Sequence, residues 1–319
     1  MRRAPLVSHS GKSETSLHGT GRGAIIRAMR ALIVAICAVA AMRVGAAPAQ
    51  EIDLVTVLHR AGERVERFFA RAQSIVCLEV VHLMPLTSTW SVAAPSRTVE
   101  SELRLSWDAG LGEDVPSEAQ TQRRLLKVNG RQPRKDDSRS CTTPEQQSEE
   151  TQPLSMLLPS QRDEHDFTFA GETRLDGRPA LMVDYRVVRN VTVESSMVEG
   201  RDDCVSFDID GGMRGRLWID RETYDVLRMD RHLVGMVEIP LPDEAQRWAN
   251  LPVTWTMERW DTEIRFKAVK FENPDETLIL PESLSSLRIT RGAGTPRLRT
   301  MTNYKNYQRF LTGGRVIGD

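Results

Sequence analysis

Residues 215–233 read GRLWIDRETYDVLRMDRHL. On either side of DRETYD the side chains alternate. Leu217 and Ile219 share one face, and Leu227 and Met229 can lie opposite them on a returning strand, the period-2 pattern of an antiparallel pair. Asp220 can accept from backbone N–H groups two or three residues on, and Thr223 can close the same turn. A hairpin with one apolar face needs apolar cover, so the rest of the chain decides what the cover is.

Outward from this hairpin the chain is almost all strand-like. In RTVESELRLSW (97–107), Val99, Ser101, Leu103, Leu105 and Trp107 share a face. Further runs are QRRLLKVNG, DFTFAGETRL, PALMVDYRVV, CVSFDID, VLRMDRHLVGM, PVTWTMERW, EIRFKAVKF, LSSLRITRG and LRTMTNYKNYQRF. Asn129-Gly130 and Asp176-Gly177 are favourable turn pairs between such runs. One long helical pattern stands before them. Ile52, Val55, Leu58, Ala61, Val65, Phe68, Ala72 and Ile75 fall at gaps of three and four, the stripe of an amphipathic helix. Strands do not alternate with helices, which excludes a parallel doubly wound sheet. About ten strands offer more apolar face than one helix can hide. The expected fold is therefore mainly β with a leading α-helix: a strongly bent antiparallel sheet, a half-open β-barrel with helical cover.

The first 49 residues are expected to lie outside that fold. ALIVAICAVAAM (31–42) is a twelve-residue apolar run preceded by Arg27 and Arg30 and followed by GAAPAQ. This is a signal-peptide pattern with cleavage after Ala49. Twelve residues span about 18 Å as a helix, short of a bilayer core of about 30 Å. Lipidation at Cys37 is disfavoured by Ile36, and Met29 is an alternative start. The expected organisation is an N-terminal extension and signal peptide over 1–49 and a single β domain over 50–319. The stretch 131–152, RQPRKDDSRSCTTPEQQSEETQ, has no aliphatic residue and reads as a polar insertion. PLSMLLP (153–159) reads as one apolar helical turn bracketed by prolines.

Of 43 Arg and Lys and 44 Asp and Glu, residues 1–50 hold seven and one, so the remainder carries a net charge of −7. An acidic body without a basic block excludes nucleic acid as a partner and argues against tight docking on anionic headgroups. Beyond the signal peptide the cysteines are Cys77, Cys141 and Cys204. Export permits a disulfide. Cys77 sits in the apolar run SIVCLEVVHL and behaves as a small hydrophobe. Cys141 and Cys204 sit in polar surroundings and are the expected disulfide, worth about 4 kcal/mol in the chain-entropy model.

The order of elements, together with G-R-x-W-I-D-x-x-T-x-x-V-L-R over Gly215–Arg228, resembles the LolA type of periplasmic lipoprotein carriers and their relatives. LRTMTNYKNYQRF is similar to the closing strand of secreted bacterial members of that group. The resemblance implies a half-open sheet with helical lids over an apolar cavity that takes acyl chains. The 131–152 excursion and the disulfide depart from the carrier pattern, and no lid-holding arginine can be assigned to a particular position. The expected role is an exported, non-enzymatic protein of the periplasm or the extracellular space. It binds a lipid, a lipoprotein acyl chain or another apolar ligand, and needs no cofactor. Candidate cavity residues are Leu105, Trp107, Leu217, Ile219, Leu227, Met229, Trp255 and Met257. The alternative is an envelope scaffold with a filled interior and a protein partner.

Signals for chemistry are sparse. No serine stands in a Gly-x-Ser-x-Gly setting. His165 in RDEHDF is flanked by carboxylates that could orient an imidazole as a base, the one opening for a hydrolase. His59, His82 and His232 lack metal-ligand spacing, and no metal site is expected. DIDGG (208–212) lacks the third oxygen ligand and distal Glu of a calcium loop and reads as a strand end with a glycine turn.

Overall fold

The helix α1 (Leu54–Arg71) opens the described part of the chain. Asp53 caps it, accepting from the Val55 and Thr56 N–H groups at 3.1 and 3.2 Å. In this computed structural model residues 52–71, 75–93, 96–106, 120–135, 137, 153–198, 201–249, 251–272 and 274–309 are described. Met1–Ile52 and Asp53–Asp319 separate as two units, and the elements named here all belong to the second. The signal-peptide stretch, Trp107, Cys141 and most of the 131–152 insertion lie outside the described residues. Along α1 the buried side chains are Val57, Leu58, Ala61 and Val65. Two members of the expected stripe depart from it: Val55, in the first turn, is 72% exposed, and Ile75 opens the first strand instead of continuing the helix.

Thirteen strands follow among the described residues. They are β1 (Ile75–Pro85), β2 (Arg97–Ser106), β3 (Gln120–Val128), β4 (His165–Leu175), β5 (Arg178–Val187), β6 (Thr192–Val198) and β7 (Arg201–Asp210), then β8 (Met213–Asp220), β9 (Val226–Leu233), β10 (Val237–Pro240), β11 (Thr254–Glu272), β12 (Asp275–Arg291) and β13 (Arg297–Arg309). The PLSMLLP stretch forms a 3-10 turn (Ser155–Leu157) and a short helix α2 (Pro159–Arg162), and a third helix α3 (Asp243–Ala249) stands between β10 and β11.

Ten of the strands make one antiparallel sheet in the order β3-β2-β1-β13-β12-β11-β9-β8-β5-β4, with β10 added to β11. Its edges, β3 and β4, do not pair, so the half-barrel is open. Register shifts at Val76/Leu78, Glu100/Ser101, Phe169/Gly171, Trp218/Ile219, Met257/Arg259 and Arg265/Phe266 supply the local bends that curl such a sheet. The hairpin β6–β7 is a separate two-stranded sheet.

The register draws one continuous belt of side chains through the main sheet. Phe169, Val183, Leu217, Met229, Ile264, Leu284, Thr302, Val81, Val99 and Val128 are successive cross-strand partners, one from each of the ten strands. All but Phe169 are buried. This inner face is the core. Beside it runs a buried polar row, Thr262, Ser286 and Thr300, also in register.

The motif Gly215–Asp220 now has a local account. At Gly215 a Cβ would stand 1.9 Å from the Asp230 carbonyl oxygen and 2.7 Å from the Tyr185 hydroxyl, which donates to that carbonyl at 3.0 Å. Only glycine leaves room for this bond. Asp220 Oδ1 accepts from the Glu222 and Thr223 N–H groups at 2.9 and 2.8 Å, and the Thr223 hydroxyl accepts from Asp225 N–H at 3.3 Å.

Candidate apolar cleft beneath the leading helix

The β8–β9 turn is where the helix is held. Arg64 of α1 donates from Nε to the Thr223 carbonyl at 2.7 Å and lies 3.3 Å from Asp225. Arg60 stacks over the Tyr224 ring at 5.0 Å. On its other side α1 meets the 3-10 turn, where Met156, Leu157 and Leu158 are buried. Arg162 donates to the carbonyls of Leu58 and Leu157 at 3.2 and 2.8 Å. Gly62 permits this approach, because a Cβ there would come within 2.7 Å of the Leu157 oxygen.

Between α1, this turn and the ends of β11 and β12 lies a cleft of about 360 Å³. Val65, Phe68, Leu154, Val226, Leu278 and Ile279 give it apolar walls, while Arg64, Arg67, Arg178 and Asp225 stand among its polar lining. Arg178 also pairs with Asp220 at 2.7 Å. Burial opposes ionisation of Asp220, but the two backbone N–H groups and Arg178 outweigh it and hold its carboxyl below the usual range.

Leu217, Ile219, Leu227 and Met229 are buried in the inner face, with Leu217 and Met229 directly paired. Leu105 is half-buried opposite Ile75. Trp255 and Met257 belong instead to a cluster with Ile209, Val237 and Ile239, built by the β6–β7 hairpin and β10. The described ones among the expected cavity residues thus fall in different places, and none of these lines the cleft under α1. Arginines spaced four apart on the polar face of α1, Arg60 and Arg64, were the available signal for its attachment point.

A polar pair interrupts the inner face on the opposite wall. Arg123 of β3 donates to both carboxylate oxygens of Glu79 of β1, at 2.8 and 3.2 Å, and Glu79 is 2% exposed. Fork-to-carboxylate geometry offsets the cost of burying both charges. Beside them Cys77 is a buried free thiol whose pKa is pushed up to about 12, by burial first and then by the Glu79 charge. It is a poor nucleophile.

His165, the one candidate base, faces the Gln161 carbonyl with Nδ1 at 3.0 Å, and burial lowers its pKa. The flanking acids are engaged elsewhere: Asp166 pairs with Arg186 and Glu164 with Arg189. His82 meets the Thr98 hydroxyl and His232 meets Asp261. Among the described residues no group of three His, Cys, Asp or Glu side chains could hold a metal ion. No described helix is long and apolar enough to cross a membrane.

A second, more polar cavity of about 690 Å³ lies on the outer face over β4, β5, β8 and β9. Its floor is a ladder of ion pairs. Arg216 grips Asp184 at 2.5 and 3.0 Å, and Arg228 grips Asp230 at 2.9 Å and Glu263 at 3.0 Å. Both arginines stand over the Trp218 ring, at 5.9 and 4.4 Å.

No family model matches the chain, and no curated protein does. Solved structures similar to it include an outer membrane lipoprotein-sorting protein domain from Vibrio parahaemolyticus, at 11% identity and a TM-score of 0.40, covering 80% of this chain and 92% of that one. A DUF1329 family protein from Desulfovibrio piger matches at 13% identity and a TM-score of 0.36, over 82% and 95% of the two chains. A LolA superfamily protein from Nitrosomonas europaea matches at 7% identity and a TM-score of 0.32, over 84% and 98%. With every one of these TM-scores below 0.5, the half-open sheet and its helical cover stand on their own strand order and register.

Proposed function

We propose that the protein is an exported, non-enzymatic binder of a lipid or other apolar ligand, which it holds in the half-barrel under α1. The observation that carries this reading is the apolar cleft beneath a helix attached at discrete polar points. Its volume falls at the lower end of the range for small-molecule sites. Arg64 and Arg162 hold α1 by hydrogen bonds to carbonyls, and Arg64 adds an ion pair to Asp225, so lifting the helix breaks a few polar contacts at two points. A lipoprotein acyl chain is the ligand the resemblance suggests, with release in the periplasm or outside the cell. The Cys141–Cys204 disulfide belongs to the same proposal: Cys204 is buried and is not a free thiol. Its test is non-reducing peptide mapping.

One observation favours the scaffold alternative. Nine of the ten belt side chains are buried, as a filled inner face would have them. Native mass spectrometry of the protein without its first 49 residues, purified without detergent, separates the two. We expect a retained mass in the lipid range and an apolar dye that the lipid displaces. A bare protein mass, no dye response and a stable envelope protein partner would overturn the ligand-binding reading.

A further inference from the structure

The end of the half-barrel away from α1 carries a feature that ligand binding under the helix leaves unused. Three connections meet there: residues 188–191 after β5, Gly211-Gly212 before β8, and 234–236 after β9. The Val234 N–H donates to the Gly212 carbonyl at 2.8 Å, and Gly212 lies against Val191, where a Cβ would come within 2.6 Å of that side chain. The large side chains on these connections point outward. Val188, Val191, Val234 and Met236 are between 43% and 68% exposed. Isolated exposed apolar residues need no explanation, but four on touching turns form a patch.

Immediately behind this rim the register sets three basic residues side by side. Arg186 pairs with Arg214, and Arg214 with His232, across β5, β8 and β9. All three are exposed at the mouth of the outer cavity. Arg186 has Asp166 and His232 has Asp261, while Arg214, between them, has no ion-pair partner among the described residues. Arg186 and Arg214 are like charges directly opposite on neighbouring strands, a pairing that destabilises a sheet, and an anion seated between them would remove that cost.

We propose that this end of the protein docks on an anionic phospholipid surface, with lipid phosphates on the Arg186–Arg214–His232 row and the valine-methionine rim in the headgroup layer. A bilayer fits better than a protein partner because the apolar side chains, at the foot of the β6–β7 hairpin and on the β9–β10 turn, are exposed and follow the basic row by two residues along β5 and β9. That arrangement is the one by which peripheral proteins insert shallowly. The net negative charge of residues 51–319 limits the strength of the contact, so docking is shallow and salt-sensitive. The inference does not depend on what occupies the cleft under α1.

The test is co-sedimentation of the protein lacking its first 49 residues with vesicles of phosphatidylcholine alone or mixed with phosphatidylglycerol, with glycerol phosphate as a soluble competitor. We expect binding to the mixed vesicles, loss of it in high salt, and at least about a tenfold weakening in Arg214→Glu. The double variant Val234→Ser, Met236→Ser weakens binding without changing circular dichroism or the dye response of the cleft. No sedimentation with either vesicle overturns the proposal, as does binding that both variants leave intact. Competition by glycerol phosphate at concentrations near those of the lipid would identify a soluble phosphate site and overturn the membrane assignment. A stable protein complex through the same residues with no vesicle binding would overturn it equally.

Discussion

At one end of the half-barrel the β8–β9 turn is wound around a buried carboxylate and gripped by two arginines of α1. At the other end, three connections, two of them made with Gly211, Gly212 and Gly235 at positive φ, leave three valines and a methionine exposed to water. The first end is satisfied internally: Asp220 has two N–H donors and Arg178, and the Thr223 carbonyl has Arg64. The second leaves apolar surface exposed and one arginine without an ion-pair partner among the described residues. Polar groups that find their partners within the chain fix a geometry, whereas surface left over at the opposite pole is a reason to look outside the chain.

The largest effect is expected where both ends share their support. Leu217 is fully buried in the ten-strand belt, so Leu217→Ala should cost about 2–5 kcal/mol in denaturant unfolding. Hydrogen exchange should then speed up at both ends together. Faster exchange at one end alone would show that the ends are independently stable. A smaller and one-sided effect is expected from Asp220→Ala, which leaves two part-buried N–H groups without their acceptor at about 1 kcal/mol and should loosen α1 while sparing the 234–236 turn. The folded-state pKa of Asp220 lies below its unfolded value near 4, so its contribution is complete above that value and is lost as pH falls through the lower one. Melting curves of the wild type and Asp220→Asn should converge in acid. Parallel curves down to low pH would remove Asp220 from the account. The smallest effect belongs to Val234→Ser with Met236→Ser. Stability should change by no more than about 0.5 kcal/mol, because neither side chain is buried. A substantial loss in thermal unfolding would mean that the rim packs against something within the chain.

Much of the sheet was legible because its physics is local. The Asp220 turn follows from a side chain that satisfies its own backbone, and the pairs Asn129-Gly130 and Asp176-Gly177, whose four residues are at positive φ, from side chains that permit theirs. Three features were not legible. PVTWTMERW and EIRFKAVKF form one strand, β11, since the polar break at Asp261-Thr262 is bridged by cross-strand partners: Asp261 meets His232, and Thr262 enters the buried polar row. β12 begins well before LSSLRITRG because Pro281, which would break a central strand, lies beyond the Ser283–Ile289 stretch paired to β13. There the Tyr307 hydroxyl donates to the Pro281 carbonyl at 2.7 Å. The strand β6, TVESSMV, has too few apolar residues to announce itself and depends on β7 for its pairing. The cleft was the least legible part of all. Its walls come from residues as far apart as Val65 and Ile279, and the buried Glu79 finds Arg123 only after 44 residues.

The belt through the ten strands has a consequence for how the chain tolerates change. Each strand contributes a single link, and side chains alternate faces, so removing one residue from the middle of any strand would turn that link outward. Insertions in the connecting turns leave the links in place. The connections between strands can therefore lengthen, while the strands themselves admit substitutions and no deletions.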